Sequence, residues 1–140
     1  MTAQLRKTEP IKVILDSNAL FVTLEFKMDI FEELGRILKR NLEYILLSPV
    51  KDELEMLASG NDPKTRRQAD FALRLSQKCK VVTVEGRGEA TDDVIVRIAK
   101  KWEAPVFTND RELRRRLRDI SVPVIYLRQK CRLDIDGLIS

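Results

Sequence analysis

Within Lys12-Val13-Ile14-Leu15-Asp16-Ser17-Asn18-Ala19-Leu20, an apolar run of strand length ends abruptly in an acid, a hydroxyl and an amide. A strand that is apolar on both faces belongs in a sheet covered on both sides, as parallel strands are when helices pack over them. A carboxylate at its end therefore marks the exit of the chain into a crevice. In open sheets of this kind, ligands sit at that exit.

The rest of the sequence alternates the same two periods. Asp29 to Arg40 carries Ile30, Leu34, Ile37 and Leu38 at helical spacing, and Leu42 to Leu47 reads as a short strand. Ser48-Pro49 opens a helix, Ser48 as N-cap and Pro49 at the first helical position, with Val50, Leu54 and Leu57 on one face and Gly60 at its end. Asp62-Pro63 opens another that runs towards Lys78, with Lys64, Arg66, Arg67 and Arg74 on its polar face. Lys80 to Val84 is strand-like. Glu85-Gly86-Arg87-Gly88-Glu89 is a polar loop able to move. A helix over Asp92 to Trp102, a strand at Pro105-Val106-Phe107, a helix over Asp110 to Asp119 and a buried strand over Val122 to Leu127 follow. Cys131 to Asp136 alternates as an edge strand would. Strands alternating with helices predict an α/β fold: a three-layer α/β/α sandwich around a parallel sheet of about five strands.

At 140 residues the chain fits one domain, 1–140, with no repeat, linker or low-complexity tract. No apolar run approaches the ~20 residues of a membrane span, and Met1 to Pro10 lacks the apolar core of a secretory signal. These features predict a cytoplasmic protein that stays off the membrane. Lys+Arg 26 against Asp+Glu 22 gives a net charge of +4, which permits a polyanionic partner. Cys79 and Cys131 lack zinc-ribbon or redox-pair spacing and read as buried thiols.

The absence of histidine constrains the chemistry most. No Ser-His-Asp or Cys-His mechanism and no histidine-ligated zinc site can be built here. Hydrolysis would have to rest on carboxylates, and carboxylates favour hard cations with oxygen ligands. Several acids fall at one topological level: Asp16 after the first strand, Glu53 in the first turns of the Ser48-Pro49 helix, Asp92 and Asp93 at the start of their helix, and Asp110 after the fourth strand. Acids at helix starts also serve as caps and dipole partners, for about 0.3–1 kcal/mol each. Gathered on one rim, they repel one another unless a cation neutralises them.

The chain resembles the PIN-domain ribonucleases from Val13 to about Leu127. The resemblance rests on four pieces in order: Leu15-Asp16-Ser17-Asn18-Ala19-Leu20, Val50-Lys51-Asp52-Glu53-Leu54, Thr91-Asp92-Asp93-Val94-Ile95 and Val106-Phe107-Thr108-Asn109-Asp110. It implies an endonuclease acting on RNA, with Mg²⁺ or Mn²⁺ held by Asp16, Glu53, Asp92 or Asp93, and Asp110, and with Asn18 and Thr108 as polar support. The helix register to Ile95 and Ala99 favours Asp92 over Asp93. Thr108 to Arg118 followed by Val124 to Arg128 is similar to the PIN proteins of small-subunit ribosome assembly more than to the toxins of toxin–antitoxin pairs. The resemblance thus implies ribosomal RNA precursors as substrate, with an antitoxin partner less favoured, and two copies of the chain able to pair. The zinc ribbon that some assembly nucleases carry is absent from this sequence.

On the helix from Asp110, the residues Arg111, Arg114, Arg115 and Arg118 point away from the leucine face, either as a solvated face or as a phosphate track leading to the rim. Tyr126 and Trp102 offer rings for base stacking or for packing. Two other classes fit the sequence: a non-catalytic RNA-binding scaffold, and a phosphoryl-transfer enzyme with an aspartyl nucleophile. The latter fits poorly, because Asp16-Ser17-Asn18 lacks a second acid and no lysine ends the last strand.

Overall fold

The computed structural model describes residues 9–86, 88–129 and 132–139, without the side chain of Thr23. The lead-in before Glu9, Arg87 of the glycine loop and Cys131 lie outside the described residues.

The elements run β1 (Ile11–Leu15), α1 (Ser17–Phe26), α2 (Ile30–Leu38), β2 (Leu42–Leu47), α3 (Ser48–Ala58), α4 (Pro63–Leu75), a 3₁₀ turn (Ser76–Lys78) and β3 (Lys80–Val82). They continue with α5 (Thr91–Trp102), β4 (Val106–Phe107), α6 (Arg111–Asp119), β5 (Val124–Gln129) and β6 (Arg132–Asp136). One six-stranded sheet has the order β3-β2-β1-β4-β5-β6. The expected parallel strands are present, and a sixth, β6, joins the edge antiparallel to β5, with Val124 opposite Asp136 and Leu127 opposite Leu133.

Both faces of the sheet are covered. Ile45, Leu46 and Leu47 are consecutive in β2 and all fully buried, which alternating side chains allow only when apolar helices lie on both sides. Val13, Ile14 and Leu15 in β1 behave the same way.

The helix starts follow local chemistry. The Asp29 carboxylate accepts from the N–H groups of Phe31 and Glu32 at the start of α2, and Asp62 accepts from Thr65 at the start of α4. Ser48 departs from expectation. It is the first helical residue of α3 and not its N-cap, which is Leu47 without a side-chain bond. The Ser48 hydroxyl instead accepts from the Val84 N–H at 3.0 Å, tying the end of β2 to the segment after β3. The glycine loop that follows is anchored by Arg97 of α5, which pairs with Glu89 at 3.0 Å and donates to the Glu85 carbonyl. Cys79 is half-buried, not fully buried, and desolvation pushes its thiol up to about 11. No helix among the described residues is long and apolar enough to cross a membrane.

The strand order places the site. The chain lays β2 and β3 to one side of β1, then returns through α5 to set β4 on the other side. The reversal falls between β1 and β4, where Ile14 pairs with Val106 and Leu15 with Phe107. A crevice opens beyond the carboxyl ends of strands at such a switch point. Asp16 follows β1 there, and Thr108-Asn109-Asp110 follows β4.

Candidate active site

Asp16 is 6% exposed and Thr108 fully buried. The chain locks them together as it leaves the two strands. The Asp16 N–H donates to the Phe107 carbonyl at 3.0 Å, and the Thr108 N–H donates to that of Ile125 at 3.0 Å. Asp16 Oδ1 accepts from the Ser17 N–H at 2.8 Å, and Asp16 Oδ2 accepts from Thr108 Oγ1 at 2.7 Å. Thr108 Oγ1 in turn accepts from the Asp110 N–H at 3.1 Å.

Asn18, on the first turn of α1, accepts through Oδ1 from the Asn109 N–H at 3.1 Å. Asn109 Oδ1 accepts from the Leu127 N–H at 2.7 Å. The two amides therefore bridge α1, the end of β4 and β5. Asn109 was not singled out in the sequence, although it stands between Thr108 and Asp110; the signal for it is a partner in β5.

Asp110 is the N-cap of α6, with Oδ1 accepting from the Leu113 N–H at 2.9 Å. Asp92 and Asp93 lie in the first turn of α5 and part in their roles. Asp93 forms an ion pair with Arg116 of α6 at 2.7 Å. Asp92 is the one whose charge reaches Asp16.

The electrostatics follow from this crowding. Burial raises the Asp16 carboxyl from its ordinary 3.8 to about 6; the charges of Asp92 and Asp110 add to the rise, while the hydrogen bonds from Thr108 and Ser17 oppose it. Burial also pushes the Asp92 carboxyl up, Asp110 adds to it, and Arg116 opposes it. The structure thus gathers Asp16, Asp92 and Asp110 at the switch point. Glu53 is exposed on α3, after β2, and is not among the charges that act most on Asp16 or Asp92.

The donor set suits a hard divalent cation, since every donor is oxygen and the buried Asp16 faces two further acids instead of a basic partner. Among the described residues, no three acids stand close enough to close on a metal ion as they are. Mg²⁺ does not require that, because it keeps several waters and is commonly held by one or two carboxylates.

The arginines of α6 do not form one track. Asp136 of β6 takes Arg114 at 3.0 Å and Arg118 at 3.2 Å. The Arg114 guanidinium also lies 3.7 Å over the Tyr126 ring, and the Lys12 ammonium lies 4.9 Å over the Trp102 ring. One face of each aromatic is therefore covered by a cation. Arg111 and Arg115 are exposed.

Residues 13–130 match the family described as PIN like domain. Ribonuclease VapC4 of Methanocaldococcus jannaschii is 32% identical over 129 residues, spanning 91% of this chain and 98% of that protein. Ribonuclease VapC9 of Archaeoglobus fulgidus is 30% identical over 125 residues, spanning 89% of each. The solved structure of the PIN domain endonuclease Utp24 superposes with a TM-score of 0.79 at 27% identity, over 93% of this chain and 94% of that one. A match that takes in both β1 and β4, and with them the acids at the switch point, leads to one conclusion: this chain belongs to the PIN-like domain family.

Proposed function

We propose that the chain is a metal-dependent endoribonuclease whose working acids are Asp16, Asp92 and Asp110, with Glu53 at the margin of the site. One observation carries the reading: a buried carboxylate at the end of β1, with a proton affinity raised by burial and by two neighbouring acids, and held by Thr108 in one orientation. Mg²⁺ or Mn²⁺ at these oxygens would lower the pKa of a bound water and stabilise charge on the phosphate. The chain's own part is positional. Thr108 fixes Asp16, the Asn18–Asn109 bridge fixes the β4 exit, and Arg116 pairs with Asp93, leaving Asp92 as the acid of that helix start whose charge acts on Asp16.

Both sequence relatives are ribonucleases with VapC names, and each aligns over about nine-tenths of this chain. That favours the toxin-type reading over the ribosome-assembly role expected from Thr108 to Arg128, and makes a protein antitoxin a partner to seek. The likeness to Utp24 keeps the assembly nuclease as the second reading. The toxin reading expects expression of the active chain to arrest growth, with relief by Asp16→Asn. The assembly reading expects loss of the chain to accumulate unprocessed ribosomal RNA.

The test of the chemistry is RNA cleavage with Mn²⁺ or Mg²⁺ by the purified chain and by Asp16→Asn. Cleavage should need the metal and vanish in the variant, and Mn²⁺ should raise the melting temperature of the wild type more than that of Asp16→Asn. Equal cleavage by both proteins, freed of contaminating nuclease, would overturn the role given to Asp16, and RNA bound but left uncut by the wild type with metal present would leave a non-catalytic RNA-binding scaffold.

A further inference from the structure

We infer that the basic helix α6 is divided in function, with Arg111 and Arg115 carrying the phosphates of a single RNA strand away from the acidic rim and Arg114 and Arg118 serving as a latch for β6. The inference rests on the ribonuclease reading for the identity of the polyanion.

The division comes from helix geometry. At about 100° per residue, Leu113 and Leu117 fall together, and both are fully buried against the sheet. Glu112 and Arg116 fall on one flank, towards α5, where Arg116 meets Asp93. Arg114 and Arg118 fall on the other flank, towards β6, where each meets one oxygen of Asp136. Arg111 and Arg115 lie opposite the leucines, one turn apart, and both are exposed. Among the described residues no acid pairs with either of them.

The latch is built closely. Arg114 reaches Asp136 Oδ2 through Nε at 3.2 Å and Nη2 at 3.0 Å while stacking on Tyr126. Arg118 reaches Oδ1 through Nε and donates from Nη1 to the Val122 carbonyl at 3.3 Å. Gly137 follows with φ +107, where a Cβ would lie 2.9 Å from Arg118 Cζ and 3.2 Å from Pro123 Cα. Arg114, held by a carboxylate and the face of a ring, and Arg118, held by a carboxylate and a carbonyl, have little freedom left to follow a phosphate. β6 lies beyond residue 130, where the family match ends.

The free pair is placed where a substrate would run. Arg111 directly follows Asp110, the acid that caps the helix at the switch point. Arg115 continues the line by one turn, about 6 Å of rise, comparable with the step between successive phosphates of an extended strand. A duplex would need cations on both sides of a wide cylinder, whereas two exposed arginines one turn apart on one helix face suit one backbone.

The experiment measures binding of a fluorescein-labelled oligouridylate as a function of salt, in an Asp16→Asn background so that the RNA stays intact. Arg111→Gln/Arg115→Gln and Arg114→Gln/Arg118→Gln are compared with that parent; glutamine keeps helix propensity. Each phosphate contact on a single strand contributes about 0.7 to the slope of log K against log salt. The first pair should lower the slope by about 1.4, so the parent's advantage shrinks about sevenfold between 50 and 200 mM salt. The second pair should leave the slope unchanged and lower the melting temperature. An unchanged slope in the first variant, with RNA still bound and the fold intact by circular dichroism, overturns the track alone. Equal slope losses in both variants overturn the division. Absence of RNA binding by the parent overturns the track, while the ribonuclease reading stands or falls separately on metal-dependent cleavage by the wild type.

Discussion

Asp16→Asn removes a charge that the fold holds at a cost, and the cost has a pH signature. Burial, with help from Asp92 and Asp110, raises the Asp16 carboxyl from 3.8 to about 6. At about 1.4 kcal/mol for each tenfold change in proton affinity, the ionised carboxylate destabilises the folded state by about 3 kcal/mol relative to its protonated form. The sign follows from proton counting. Between the two pKa values the folded chain keeps the Asp16 proton and the unfolded chain has released it, so stability falls as pH rises. Below pH about 4 both states are protonated and the full stability is present; above pH about 6 both are ionised and the loss is complete.

Asparagine carries no charge at any pH, so the stability gap between Asp16→Asn and wild type should open between pH about 4 and 6. It should level off near 3 kcal/mol, on top of a constant offset from the altered hydrogen bonds to Thr108 and Ser17. Urea unfolding at a series of pH values, in chelator so that no metal pairs with the carboxylate, measures the gap directly. For a chain of 140 residues, about 3 °C per kcal/mol makes the pH-dependent part about 10 °C at neutral pH. Parallel stability curves for the two proteins from pH 4 to 7 would refute the reasoning, because they would mean that Asp16 ionises in the fold as easily as in the unfolded chain. Saturating Mn²⁺ should then narrow the gap by stabilising wild type selectively.

Two further perturbations probe the scaffold. Gly137→Ala places a methyl group against Pro123 and against Arg118, at φ +107, and should cost about 1–3 kcal/mol; a change below about 0.5 kcal/mol in chemical denaturation would show that the backbone at Gly137 relaxes away from this conformation. Asn109→Ala leaves the Leu127 N–H without the acceptor it has at 2.7 Å and should cost about 1–3 kcal/mol, with faster amide exchange at Leu127 than at Ile125; unchanged exchange at Leu127 would remove the bridge from the account.

Much of the fold was legible because its signals are local. Asp29 and Asp62 announce helices by chemistry confined to a few residues, and both act as the caps that their spacing implies. The helix α1 carries no such signal: Ala19, Leu20, Phe21, Val22 and Leu24 surround it with apolar side chains and leave no amphipathic period to read. Ser48 misleads for a related reason, since its hydroxyl finds a better partner in Val84, 36 residues away, than in its own helix. The candidate site divides along the same line. Asp16 was legible as an acid closing an apolar strand, but the choice between Asp92 and Asp93 depends on Arg116, and the fate of Arg114 and Arg118 depends on Asp136. Those partners meet only when α6 packs against α5 and β6, so no window of sequence contains them.

The strand register explains how Asp16, Asp92 and Asp110 come to the switch point. Leu15 and Phe107 are paired neighbours in β1 and β4, so the residues that follow them emerge side by side, and the bond from Thr108 to Asp16 closes the gap at 2.7 Å. Asp92 joins them because α5 is the connection that carries the chain across the switch point from β3 to β4. Glu53 instead leaves from β2, one strand further along, and α3 presents it to solvent. The proposed site therefore has a rigid part, Asp16 with Asp110, fixed by adjacent strands, and a part set by helix placement, Asp92 with Arg116 behind it. The acid whose burial is most costly is thus also the one held most firmly, which is the arrangement expected where a charge is kept for chemistry and not for stability.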